Sequence, residues 1–117
     1  MHNIVLTFER VIGLNPQLKK GLLEFCVLAT LKKEDSYGYQ IIKDTSSVVE
    51  ISDSTLYPIL KRLEAQGEIE SYRVEHNGRL RKYFHLTLAG QASIDSFLAD
   101  WPAVMGIYTY IRECNND

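Results

Sequence analysis

Residues 52–67 read SDSTLYPILKRLEAQG. Leu56, Ile59, Leu60 and Leu63 recur at i, i+3, i+4 and i+7, which sets them in one apolar stripe along a helix. Ser52 has the side chain of an N-cap, and Asp53 falls in the first turn, where the macrodipole favours an acid. Gly67 stands where a left-handed residue ends a helix. The opposite face carries Ser54, Thr55, Tyr57, Lys61 and Arg62. Hydroxyls and an aromatic ring at the N-terminal end, with two adjacent cations behind them, suit a helix laid in a DNA major groove. Hydroxyls read base edges or hold phosphates, and cations neutralise phosphates. An amphipathic helix with a merely solvated polar face has the same pattern, so the sequence beyond Gly67 decides between the two.

After Gly67 the apolar period changes from about 3.6 to about 2. IESYRVE (Ile69–Glu75) and RLRKYFHL (Arg79–Leu86) are rich in β-branched and aromatic residues and flank His76-Asn77-Gly78. Asn-Gly is a strong hairpin signal, because a type I′ turn needs positive φ at both central positions. A two-residue loop sets Ile69 opposite Leu86, Ser71 opposite Phe84 and Tyr72 opposite Tyr83. Ile69, Phe84 and Leu86 then pack on the helices, and the tip projects with Arg79, Arg81 and Lys82.

Upstream, Pro16 starts the first firm element. Gln17–Lys33 is apolar on more than one face, the pattern of a helix buried against both its own domain and a second subunit. Lys32–Asp35 form a polar turn. Ser36 is suited to cap a second helix over Tyr37–Asp44 with Ile41 and Ile42 inward, and Val48–Ile51 lead in extended form to Ser52. Residues 1–15 fit a frayed arm or a short extra helix. Helix, helix, link, helix and a basic-tipped hairpin is the order of a winged helix-turn-helix, with the third helix as reader.

The last segment, Thr87–Glu113, begins with a capping threonine. Phe97, Trp101, Met105 and Tyr108 fall at i, i+4, i+8 and i+11, and Ile94, Leu98, Val104, Ile107 and Ile111 widen the stripe. One small domain cannot cover so broad an apolar surface, whereas a dimer can. Pro102 either kinks this helix or starts a second one with Asp100 as N-cap. The expected architecture is mainly α with a β-hairpin wing: a winged helix-turn-helix over residues 1–86 and a C-terminal dimerisation segment over 87–117.

A chain of 117 residues implies one domain with little core to spare. There is no apolar run long enough to span a bilayer, and the N-terminus MHNIVLTFERVIG lacks a cleavage site, so no signal peptide is read. Cys26 and Cys114 stand far apart, which fits a reduced, cytoplasmic setting. The net charge of −2 counts mildly against nucleic acid. Its distribution counts the other way. Lys61, Arg62, Arg73, Arg79, Arg81 and Lys82 outnumber the acids around them, and beyond residue 82 only Arg112 faces Asp95, Asp100, Glu113 and Asp117. An enzyme fits poorly. His2, His76 and His85 have no metal-ligand spacing, no phosphate-binding glycine loop is present, and no nucleophile–base arrangement stands out. No cofactor or metal is expected.

DSYGYQIIK (Asp35–Lys43), STLYPILKRLEAQGEIES (Ser54–Ser71) and RKYFHLTLAG (Arg81–Gly90) resemble the PadR family of transcriptional regulators. The resemblance covers nearly the whole chain. It implies a homodimeric winged-helix repressor that binds palindromic promoter DNA and is released by a small-molecule effector. The short C-terminal region is similar to the smaller subgroup, which includes multidrug-responsive members. By position, Tyr37, Gly38 and Tyr39 would lie near the phosphate backbone. Ser54, Thr55, Tyr57, Pro58 and Lys61 would enter or border the major groove. Asn77, Gly78, Arg79 and Lys82 would form a wing on the adjacent minor groove. In drug-binding members a tryptophan of this segment stacks flat aromatic ligands. Trp101 stands at the matching position, with Phe25, Phe97 and Met105 lining or filling the same pore. Plainer roles are open to each: Tyr57 covering the helix junction, Pro58 setting a bend, Lys82 serving the sheet, Trp101 packing in an interface without ligand. The competing function is a winged helix that binds protein rather than specific DNA.

Overall fold

The computed structural model describes residues 15–116, and the question of an N-terminal arm or extra helix lies outside the described residues. Helix α1 (Pro16–Lys33) begins on Pro16, whose missing N–H is no loss in a first turn. The Asn15 side chain caps it, accepting from the Gln17 N–H at 2.9 Å. Leu23, Val27, Leu28 and Leu31 of α1 are buried.

The next element differs from the expected helix over Tyr37–Asp44. Ser36–Tyr37 form a short strand, β1, and α2 runs over Gly38–Thr45 with Tyr37 at its N-cap and no side-chain capping bond. Ser36 therefore caps nothing; it pairs with Phe84, and Tyr37 pairs with Tyr83. Sheet pairing across the molecule overrides the local capping preference of the serine. Thr45 then closes α2, donating its hydroxyl to the Ile41 carbonyl at 2.9 Å.

Helix α3 (Asp53–Ala65) buries the expected stripe of Leu56, Ile59, Leu60 and Leu63. Ser52 occupies the N-cap position, but its hydroxyl meets those of Ser54 (3.0 Å) and Thr55 (3.2 Å) rather than a backbone N–H. The C-terminus closes as a Schellman motif on Gly67, whose φ is 76°. Glu68 N–H reaches the Leu63 carbonyl and Gly67 N–H the Glu64 carbonyl, each at 3.0 Å.

Strands β2 (Ile69–His76) and β3 (Arg79–Leu86) have the register read from the sequence, with Ile69 opposite Leu86, Ser71 opposite Phe84 and Tyr72 opposite Tyr83. Asn77 (φ 52°) and Gly78 (φ 77°) form the two-residue turn. With β1 the wing sheet has three strands in the order β1-β3-β2. Ile69 and Phe84 seal the core beneath it, against Leu28, Ile41, Leu56, Leu60 and Leu63. Each such buried side chain contributes about 1.5–3 kcal/mol relative to exposure.

Helix α4 (Leu88–Asn115) is one continuous helix through Pro102. Asp100 is thus not the N-cap of a second helix. The proline removes one intrahelical donor in an exposed stretch, where water can take the freed carbonyl. Thr87 caps α4, accepting from Gly90 N–H at 3.1 Å. Gly90 packs so close that a Cβ there would stand 2.2 Å from the Glu68 carbonyl oxygen. Beyond Phe97, α4 leaves the core and every described side chain is exposed. No helix of the described residues is long and apolar enough to cross a membrane.

Candidate nucleic-acid interface

At about 100° per residue, the core stripe of α3 turns Ser54, Pro58 and Lys61 outermost. Thr55 and Arg62 fall on the shoulder towards α1, and Tyr57 on the shoulder towards α2. Arg62 is consequently no free cation. Its Nε donates to Glu24 Oε2 of α1 at 3.0 Å, and Nη2 to the same oxygen. Lys61 has no carboxylate within ion-pair distance among the described residues, which leaves it the available cation of this helix. The Ser52, Ser54 and Thr55 hydroxyls bond to one another at its exposed N-terminal end, which holds them in a fixed group. Pro58 deprives the Ser54 carbonyl of its helical donor, adding an acceptor to that outer surface.

Tyr57 covers the helix junction and is also open to solvent. It is 53% exposed, yet its hydroxyl lies over Gly38, where a Cβ would come within 2.4 Å of it. The glycine at the start of α2 is what lets the tyrosine cover the helix junction. Tyr39, the next residue, is exposed, with Lys43 over its ring at 5.6 Å.

The pleat of β3 sends its cations to opposite faces. Arg79 and Arg81 share a face with Tyr72 and Tyr83, while Lys82 points the other way, over the Phe84 ring at 5.5 Å and 3.8 Å from Glu64 Oε1 of α3. Arg81 lies over the Tyr37 ring, 4.0 Å from its centroid. The sequence places Arg81 at the tip but not among the site residues; its platform, Tyr37, sits on a strand too short to be read. Between the start of α2, α3 and the wing is a concave site of about 410 Å³, lined by Tyr37, Gly38, Tyr39, Tyr57, Arg81 and Lys82. Asn77, Gly78 and Arg79 stand apart from it, at the hairpin tip.

A second polar group escaped the sequence. Asp35, before β1, accepts from the Tyr72 hydroxyl at 2.6 Å and meets His85 Nδ1 at 2.8 Å. The Tyr72 bond, then the His85 bond, hold the Asp35 carboxyl below its ordinary range. The carboxylate in turn pushes the Tyr72 phenol up to about 12 and raises His85. These three residues fasten the α1–β1 turn to the outer face of the wing.

Phe25 of α1 and Phe97 of α4 stack with centroids 4.3 Å apart, and Phe97 meets Trp101 at 5.4 Å. Phe25, Phe97 and Trp101 border an open cleft of about 510 Å³, with Asp100 and Val104 at its side. Met105 is exposed further along and does not line this cleft. Among the described residues no group of three or more His, Cys, Asp or Glu side chains could hold a metal ion.

Residues 27–96 match the Transcriptional regulator PadR-like family. The solved structure of smu.1704 from Streptococcus mutans is 40% identical, over 80% of this chain and 89% of that one, with a TM-score of 0.69. A PadR family transcriptional regulator from Eggerthella lenta is 31% identical, over 83% and 87% of the two chains, with a TM-score of 0.75. Bacillus subtilis PadR, solved in complex with operator DNA, shares the fold at 24% identity and a TM-score of 0.62, over 66% of this chain and 46% of that one. The fold thus recurs in these solved structures, and the chain belongs to the Transcriptional regulator PadR-like family.

Proposed function

We propose that the chain is a homodimeric repressor that binds a palindromic operator and is released by a small aromatic or hydrophobic effector. Residues 1–86 are the reading unit and 87–117 the dimerisation segment. The observation that carries the DNA-binding part is the outer face of α3: Ser54, Thr55, Tyr57 and Lys61 exposed together beside a wing with Arg79 at its tip. In this reading α3 enters the major groove, Pro58 borders it, Tyr37, Gly38 and Tyr39 meet the phosphate backbone, and Asn77, Gly78, Arg79 and Lys82 meet the adjacent minor groove. The operator complex of Bacillus subtilis PadR supports the same use of this fold.

The dimer is supported by α4. Leu98, Ile107, Tyr110 and Ile111 are each at least 59% exposed, and large apolar side chains left in water on more than one side of a helix mark an interface. The effector is supported by Trp101, 40% exposed at the edge of the Phe25–Phe97 stack. An indole in that position offers a face to a planar ring and, for a cationic ligand, to its charge.

The test is a gel-shift titration against salt on the sequence upstream of the protein's own gene, with the oligomeric state measured by sedimentation. Affinity that falls steeply with salt, on a two-fold symmetric site, by a dimer, is the expected result. The net charge of −2 favours a second reading, a protein-interaction winged helix. Binding to other proteins with no salt-dependent DNA affinity would establish that reading instead.

A further inference from the structure

We propose that Arg81, rather than Lys82, supplies the phosphate-binding cation of the concave site between α2, α3 and the wing, using the Tyr37 ring as a fixed platform; this rests on the DNA-binding reading above. Three observations carry it. First, the two cations that line the site differ in what already holds them. Lys82 is drawn to Glu64 at 3.8 Å. Arg81 has no carboxylate within ion-pair distance among the described residues, and its partner there is an aromatic face.

Second, the platform is anchored through the sheet. Tyr37 is paired to Tyr83 through the β1–β3 ladder, and their rings meet edge to face at 5.3 Å. Tyr83 stacks on Tyr72 at 5.8 Å, and Tyr72 is bonded to Asp35. Arg81 therefore lies on the last ring of an anchored row. A guanidinium stacked on a ring keeps its N–H edge free, and that edge is a planar fork matched to phosphate oxygens. Holding it against the ring lowers the side-chain entropy lost on binding.

Third, the walls are suited to a phosphate. Tyr37, Tyr39 and Tyr57 bring hydroxyl groups and no carboxylate lines the site. The floor is closed by Tyr57 lying over Gly38. A backbone phosphate beside α3 would meet one unpaired guanidinium, hydroxyl donors and no competing acid.

The experiment measures affinity for a duplex of arbitrary sequence by fluorescence anisotropy across a salt series, with a thermal melt of each variant. Arg81→Gln keeps a planar group over Tyr37 but removes the charge. One lost phosphate contact lowers the slope of log K against log salt by about 0.9, which weakens binding about eightfold near 0.1 M salt and hardly at all near 1 M. Arg81→Lys is expected to keep the slope and lose part of the affinity, because the fork is gone and the charge is not. If Arg81→Gln binds with the wild-type slope, the role assigned to Arg81 is overturned while DNA binding stands. That role is overturned equally if the affinity of Arg81→Gln falls by the same factor at all salts together with its melting temperature, since Arg81 would then be structural. A wild type without salt-dependent binding overturns both readings.

Discussion

Replacing Gly90 by alanine and replacing Gly21 by alanine are the same chemical change, each inside a helix, and the structure predicts opposite signs for them. At Gly21 a Cβ meets nothing within 4 Å. Alanine there should stabilise by about 0.5–1 kcal/mol, because the unfolded glycine has more freedom to lose. At Gly90 the Cβ would stand 2.2 Å from the Glu68 carbonyl oxygen and 2.5 Å from Leu86 Cδ1. The Glu68 contact is with backbone, and its carbonyl accepts from Thr87 N–H at 3.1 Å, so it has no easy retreat. Relief needs α4 to lift by about 1 Å, which overpacks or strains the contact for about 1–3 kcal/mol. It also stretches the Thr87 bonds to Gly67 and Glu68, worth about 1 kcal/mol each. With those bonds weakened and the propensity gain set against the sum, the net loss is about 2–4 kcal/mol. For a domain of this size that lowers the melting temperature by roughly 10–25 °C. Calorimetry at one fixed protein concentration is the assay, because association would shift the midpoint. A Gly90→Ala protein that melts with the wild type would refute the close docking of α4 on the turn after α3.

Lys61→Ala should weaken binding to every duplex alike and lower the salt slope by about one contact, while Thr55→Ala and Tyr57→Ala should narrow the preference for operator over random DNA; unchanged operator affinity in all three removes α3 as the reader. The Asp35 cluster predicts a pH window. His85 is raised above its ordinary 6.5 by Asp35, so its contribution is fully present below that value and is lost as pH rises through the raised one. Asp35 is lowered from 3.8, so its contribution is present above 3.8 and is lost as pH falls through the lowered value. The difference in urea midpoint between wild type and Asp35→Asn should therefore peak in mildly acidic solution, and parallel curves would show that the cluster adds nothing. Trp101 is the single tryptophan, so planar aromatic compounds that release DNA should also quench its fluorescence; release that persists in Trp101→Ala would place the effector elsewhere.

What was legible in the sequence is what local geometry decides. Asn77-Gly78 imposes two positive φ angles, and the hairpin register then follows from counting outward. The α3 stripe and its glycine stop are likewise short-range. What escaped depends on residues far apart in the chain. Glu24 and Arg62 are 38 positions apart, and a helical wheel does not say which shoulder of α3 will meet α1. Ser36 looked like a cap because serine favours caps; its pairing with Phe84 is tertiary and leaves Oγ buried without a partner among the described residues. The Asp35, Tyr72 and His85 cluster joins three elements, and Arg81 could not be singled out before Tyr37 was known to be a strand residue. The sequence leaves Pro102 open because a proline in an exposed helix costs one hydrogen bond, which the flanking turns and water can absorb.

The same distant contacts bear on how the proposed effector site would reach DNA. The two carbonyls that follow α3 both hold the start of α4: Gly67 accepts from the Thr87 hydroxyl at 2.6 Å and Glu68 from the Thr87 N–H at 3.1 Å. Gly90 leaves no gap beneath them. The end of α3 and the first turn of the candidate dimerisation helix therefore move together. Trp101 lies about 20 Å further along α4, at 1.5 Å rise per residue. A lateral shift of about 1 Å there, with the anchor held, is a tilt of roughly 3° of the whole unit and not a local bend. In a dimer built on α4, a ligand that fits one relative setting of the two α4 helices better than another would reset the whole protomers, α3 included. DNA demands reading helices about one turn apart, so release follows from rigid-body rotation alone. The ligand must supply the difference through its own preference between the two settings, because equal affinity for both would move nothing.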